Sequence, residues 1–154
     1  MAGLDIRSFI RAPPERVWRI ISDLPAQAKW MVDIRHLEIV GDARAGTVIK
    51  LTSDLFKLPV ARDTITVETW SPPRRYDVSH VYDLGPLGKV TGTGAFILEP
   101  AAGGTIFVWQ EELRPPLGPV GELGWNFVLK SHLTRQFGRS MDNVRKIAES
   151  LERE

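Results

Sequence analysis

The chain has 154 residues, with 20 Lys and Arg against 19 Asp and Glu, and no cysteine. Balanced charge without a basic stripe argues against a nucleic-acid partner, and the lack of cysteine rules out disulfides and thiolate metal sites. No apolar run nears the roughly 18 residues of a membrane-spanning helix, and the N-terminus shows no signal-peptide pattern, so a cytoplasmic protein forming a single domain over residues 1–154 is expected.

Residues 4–11 alternate, with Ile6, Ser8 and Ile10 on one side and Asp5, Arg7 and Arg11 on the other. That pattern predicts a half-buried strand. Ala12-Pro13-Pro14-Glu15 opens a helix, because proline is tolerated in a first turn and an acid there suits the helix dipole. Val17, Ile20, Ile21 and Leu24 give it an apolar face, and Pro25 ends it. Residues 26–31 form a second short helix ending at Trp30-Met31.

A β-meander follows. Its strands are Leu37–Val40, Val48–Thr52, Asp63–Trp70, Tyr76–Tyr82, Val90–Leu98 and Thr105–Leu113, separated by turns rich in Gly, Pro and Asp. Two turn tips are apolar, one carrying Leu55, Phe56 and Leu58 and the other Leu84, Pro86 and Leu87. Such tips gate a pocket mouth or dock on a membrane or partner, or simply pack on the helix entry. Pro115, Pro116, Gly118 and Pro119 stiffen the link to the last element.

Val120–Leu151 contains no proline and reads as one long helix. Its stripe runs Leu123, Phe127, Lys130, Thr134, Phe137, Met141, Val144, Ala148, Leu151, a period near 3.5. Lys130 and Thr134 interrupt it. Either the stripe is wet there, with Lys130 reaching water and Thr134 bonding helix carbonyls, or these side chains face unfilled space. Trp125 and Leu129 fall off the stripe and would pack on the 113–119 link or on the partner subunit of a homodimer.

The order is β-α-α-β6-α, and short links between consecutive strands predict an antiparallel sheet. One helix about 10 Å wide cannot cover seven strands. The uncovered inner face implies a cavity, and Gly92 and Gly94 inside one strand fit a sharp bend or a close backbone approach.

Several strings in this order resemble the Bet v 1-like, START-related superfamily (SRPBCC) that contains the polyketide cyclase/dehydrase proteins. They are Ile10-Arg11-Ala12-Pro13-Pro14-Glu15-Arg16-Val17-Trp18, then Ser22-Asp23 with Trp30, then Trp70-Ser71-Pro72-Pro73-Arg74-Arg75-Tyr76. Phe96-Ile97-Leu98-Glu99-Pro100 with Gly103-Gly104-Thr105 follows, and Met141-Asp142-Asn143-Val144-Arg145-Lys146-Ile147 closes the series. The resemblance implies an α+β helix-grip fold. In it a curved seven-stranded antiparallel sheet wraps a long C-terminal helix, with two short helices after the first strand. It also implies a pocket for a hydrophobic small molecule.

Asp83-Leu84-Gly85-Pro86-Leu87 and Trp109-Gln110-Glu111 resemble the aromatase/cyclase subset in particular. That subset is thought to work through inward Ser, Arg and Tyr groups. Here Thr66 stands near the expected Ser and Glu68 near the expected Arg, and no Tyr lies near Trp30. These departures count against carrying the chemistry over.

Strand alternation supplies the candidate ligand-binding residues: Tyr76, Val78, His80 and Tyr82; Phe96 and Leu98; Phe107, Trp109 and Glu111. Phe127, Lys130 and Thr134 join them from the helix. Within a cavity, His80 and Glu111 are candidate acid–base groups, whereas a one-residue slip in register would put both in water. Asp63, Glu68 and Glu112 read as members of solvated strand faces. The three histidines, His36, His80 and His132, share no ligand spacing, so no metal site is expected. No cofactor is expected either, since Gly92-Thr93-Gly94 lies inside a strand and forms no phosphate cradle. Function is read first as binding of a lipid-, polyketide- or aromatic-like molecule by a carrier or sensor. Second comes a cyclase, aromatase or dehydratase using the same cavity, and third a protein-interaction module.

Overall fold

In the computed structural model, seven strands form one antiparallel sheet in the order β1-β7-β6-β5-β4-β3-β2. Residues 2–42, 44–55, 58–83 and 85–150 are described, with backbone alone at 2, 53–55, 58–61 and 87. The strands are β1 (Ala2–Ile10), β2 (Ile34–Val40), β3 (Val48–Leu55), β4 (Leu58–Ser71), β5 (Arg75–Asp83), β6 (Lys89–Ala101) and β7 (Gly104–Arg114). The meander from β2 to β7 is the one expected. Pairing of β1 with β7, from Ala2 opposite Leu113 to Ile10 opposite Thr105, joins the first and last strands in one sheet. Of the two apolar turn tips, Phe56 and Leu84 lie outside the described residues, as does Leu151 at the end of the helical stripe.

Helix α1 (Pro14–Ile21) begins with proline in its first turn and has Glu15 near its N-terminus and Arg19 near its C-terminus, as the dipole favours. It buries Val17, Trp18 and Ile21. The second short helix is a 3-10 turn over Leu24–Lys29, followed by fully buried Trp30. The C-terminal helix α2 spans 118–150 in three continuous parts, Gly118–Gly124, Trp125–Leu129 and Lys130–Ser150.

The middle part of α2 corrects the expected stripe. Residues 125–129 form a π turn in which the Lys130 N–H donates to Trp125 O, five residues back. A π turn holds one more residue than an α turn, so everything before it is rotated relative to everything after it. Phe137, Met141, Val144 and Ala148 are buried as the stripe requires. Upstream of them the inward residues are Leu133, Leu129 and Trp125 rather than Thr134, Lys130 and Phe127. Phe127 is 76% exposed, and Lys130 and Thr134 face solvent, where the Thr134 hydroxyl donates to Lys130 O at 2.6 Å. Trp125 is only 2% exposed within a single chain.

Polar ties fasten α2 to the segment before β2. Ser140 Oγ accepts from the Val32 N–H at 3.0 Å, Gln136 Nε2 donates to Asp33 Oδ2 at 3.0 Å, and Asn143 Nδ2 donates to Trp30 O at 3.0 Å. Between sheet and helix, aromatic rings form a continuous row. Tyr76 meets Phe96 edge-on at 5.1 Å, Phe96 meets Trp109 at 4.7 Å, and Trp109 stacks on Phe137 at 4.0 Å and 9°. Phe107 is fully buried behind this row. Phe107→Ala should therefore cost about 3–5 kcal/mol of stability, checked as a lower urea midpoint at unchanged slope.

Candidate functional site

The inner sheet face and α2 enclose a cavity of about 110 Å³. Strand alternation places Tyr76, Val78, His80 and Tyr82 of β5 on its wall, with Phe96 of β6 and Trp109 and Glu111 of β7. Leu98 and Phe107, expected beside them, are buried in the packed core and do not line it. Phe127 is turned out at the π turn, whereas Lys130 and Thr134 lie in the regular part of α2, whose inward face runs through Leu133, Gln136, Phe137 and Ser140. The helix side of the wall is instead Trp125, Leu129, Leu133, Gln136, Phe137 and Ser140.

Asp63 was expected in solvent and is 3% exposed. It shares the inward face of β4 with Ile65 and buried Val67, so the alternation was present in the sequence and its acidic character masked it. Glu68 and Glu112 are exposed as expected. Thr66 and Glu68 belong to the opposite, outer face, where the Ser79 hydroxyl donates to Glu68 Oε1 at 2.6 Å. The positions set against the Ser and Arg of the cyclases therefore point away from the cavity.

Asp63, His80 and Glu111 meet although they come from β4, β5 and β7. His80 Nε2–H donates to Glu111 Oε2 at 2.7 Å, and Trp109 Nε1–H donates to Glu111 Oε1 at 2.9 Å. On the far side of the imidazole, Nδ1 lies 3.6 Å from Asp63 Oδ1, and neither atom has a hydrogen-bond partner. The Tyr82 ring stands edge-on to His80 at 4.7 Å. His80 is 4% exposed and Glu111 6%.

The Glu111 carboxylate must cross β6 to reach β5, and Gly94 is what lies beneath it. Gly94 pairs with Val78 on one side and Glu111 on the other. A Cβ at Gly94 would sit 2.9 Å from Glu111 Oε1 and 3.0 Å from its Cδ. Gly92, one inward position along, has Glu112 O 2.4 Å from where its Cβ would be, so the backbone of β7 presses close there. Both glycines thus serve close approach.

Burial opposes charge on His80, but the neighbouring carboxylates of Asp63 and Glu111 outweigh it and raise its pKa to about 10. Burial raises the Asp63 carboxyl above its ordinary range against the pull of His80, and the Glu111 charge raises it further. Burial, then the two carboxylates, pushes the Tyr82 phenol up. At the other end of the wall, the Tyr76 hydroxyl donates to Ile21 O at 2.9 Å and accepts from Gln27 Nε2 at 3.3 Å. Among the described residues no group of His, Asp and Glu is arranged to hold a metal ion, and no helix is long and apolar enough to cross a membrane.

Residues 1–149 match the family described as polyketide cyclase / dehydrase and lipid transport. The chain belongs to that family. No curated protein sequence matches it significantly. Its fold is that of a Thermus thermophilus crystal structure at 18% identity, covering 97% of this chain and 99% of that one with a TM-score of 0.77. A Thalictrum flavum norcoclaurine synthase point mutant, in complex with a transition-state analogue, is similar at 14% identity, with 98% and 96% covered and a TM-score of 0.73. The di-domain aromatase/cyclase BexL of the BE-7585A pathway is similar at 12% identity, with 96% of this chain and 50% of that chain covered and a TM-score of 0.76. Together with the family, these likenesses place the chain in the Bet v 1-like, START-related superfamily with its helix-grip fold.

Two outcomes follow from the buried cluster. The folded value of His80 near 10 exceeds its ordinary 6.5, so its stabilising contribution is complete below pH 6.5 and is lost as pH rises towards 10. Denaturation across that window should show the loss, and Glu111→Gln should flatten it. Gly94→Ala should push the Glu111 carboxylate off His80 and lower the imidazole pKa, read as a shifted titration of the His80 ring protons by NMR.

Proposed function

We propose that this protein binds a hydrophobic small molecule in the cavity between sheet and α2, as a carrier or sensor. The observation that carries the reading is the wall itself: some two dozen residues from six strands, the 3-10 turn and α2, mostly aliphatic or aromatic, around a few buried polar groups. That is the composition of a small-molecule site, where apolar area supplies affinity and few polar groups fix orientation. Each 100 Å² of ligand surface removed from water contributes about 2.5 kcal/mol.

The free volume of about 110 Å³ bounds the ligand. A cavity of roughly 150 Å³ takes one benzene. One ring therefore fills the space, and anything longer extends outward or displaces the wall. A folded polyketide chain and a long acyl chain both exceed that space, which favours a compact, single-ring ligand. The cyclase or dehydratase reading rests on one specific feature, the 2.7 Å His80–Glu111 pair inside the cavity, which has the spacing of an acid–base dyad.

Native mass spectrometry of protein purified from its own host should reveal a co-purifying apolar molecule. A clean apo mass, together with no thermal stabilisation by lipids, quinones or aromatic compounds, would sink the proposal. Leu133→Trp, which fills the cavity from α2, should lower affinity for any such ligand at least tenfold while leaving the fold intact by circular dichroism. His80→Ala and Glu111→Ala separate the two readings. A carrier keeps most of its affinity, whereas an enzyme loses turnover by the 10²–10⁴ typical of general acid–base catalysis.

A further inference from the structure

The charge inside the cavity is one-sided. Its wall contains two carboxylates, Asp63 and Glu111, and one imidazole, His80, and among the described residues no Lys or Arg lines it. With all three groups ionised the cluster carries one uncompensated negative charge. An uncompensated charge at this depth is costly and is neutralised by a proton or by a cation. Glu111 is already satisfied by His80 and Trp109. Asp63, with its side chain 2% exposed, is the member whose Oδ1 has no hydrogen-bond partner. The surrounding wall is rich in aromatic side chains, with Tyr82, Trp109 and Trp125 among them, and aromatic rings attract cations through their faces.

We propose that the cavity selects an apolar, ring-bearing amine, with its ammonium group beside Asp63 and its hydrocarbon part along the aromatic wall. This rests on the cavity being a ligand site, as argued above, and adds the charge class of the ligand. Carboxylates, fatty acids among them, are the class it rejects. The ammonium replaces the proton that would otherwise neutralise Asp63 and supplies the hydrogen-bond donor that Oδ1 lacks. At an effective dielectric of ~20, one unit charge about 6 Å from a ligand charge alters affinity by roughly a hundredfold, favouring the cation and opposing the anion.

The test compares three single-ring ligands of one shape: toluene, benzylammonium and benzoate. Binding is titrated at pH 7 by the fluorescence of the tryptophans, two of which, Trp109 and Trp125, line the cavity. The two ions both pay for dehydration, so their ratio reads the field of the cluster. The ammonium should bind at least thirtyfold more tightly than the carboxylate. Asp63→Asn should reduce that ratio to within a few-fold of one, and Glu111→Gln should reduce it in the same direction. Toluene binding without a preference for the ammonium, or a preference that survives both substitutions, would overturn the inference and leave the carrier reading standing. Failure of all three to bind would overturn both. If Asp63→Asn does not fold, the wild-type ratio and Glu111→Gln still decide.

Discussion

A mismatch of widths governs this structure. Seven strands spaced about 4.8 Å apart present a sheet roughly 29 Å across, whereas one helix with its side chains is about 10 Å wide. A single helix laid over such a sheet covers a minority of its inner face. α1, the 3-10 turn and Trp30 close one part, with Trp18, Tyr76 and Phe96 packing in edge-on contacts. The sheet's own curvature closes more, and close backbone approach at Gly92 permits it. What remains is a cavity whose wall is the unshared part of the hydrophobic core.

Polar groups in that wall are held by the same device. The Glu111 carboxylate reaches a histidine two strands away because no side chain rises from Gly94 between them. The contact then fixes protonation: an imidazole between two carboxylates keeps its proton to high pH, while Asp63, on the less satisfied side, is pushed towards accepting one. Packing, glycine placement and electrostatics are here one arrangement, and a change at Gly94 is felt at His80 without touching it.

The outer surface of α2 has a different character. Leu117, Val120, Leu123, Phe127 and Val128 are all exposed, just upstream of where the helix becomes regular. The π turn sets the phase of this part of the helix. By rotating the first third of the helix it brings Trp125 into the cavity and turns Phe127 out. An apolar helix of this kind cannot hide every large side chain against one sheet, and the turn decides which are hidden.

The order of elements, the antiparallel meander, the inward face of β5 and the need for a cavity were legible in the sequence. They follow from local rules, namely alternation with period two, proline and glycine punctuation, and the fixed width of a helix. The later half of the α2 stripe was legible for the same reason, from Phe137 to Ala148. The earlier half was not: the extra residue of a π turn, which leaves no mark in a pattern read at constant period, turned Phe127 out, and Leu133 rather than Thr134 is the residue a turn before Phe137 that faces the cavity. Asp63 was hidden differently: its alternation was plain, but an acid on an inward position makes sense only when its partner is known. That partner, His80, is 17 positions along the chain, and Glu111 is 31 beyond that. Sequence alone determined the order of the elements and which residues of β5 share a face. Only the tertiary structure decided which inward residues meet, because contacts across a curved sheet depend on register between strands and on where a glycine leaves room to cross.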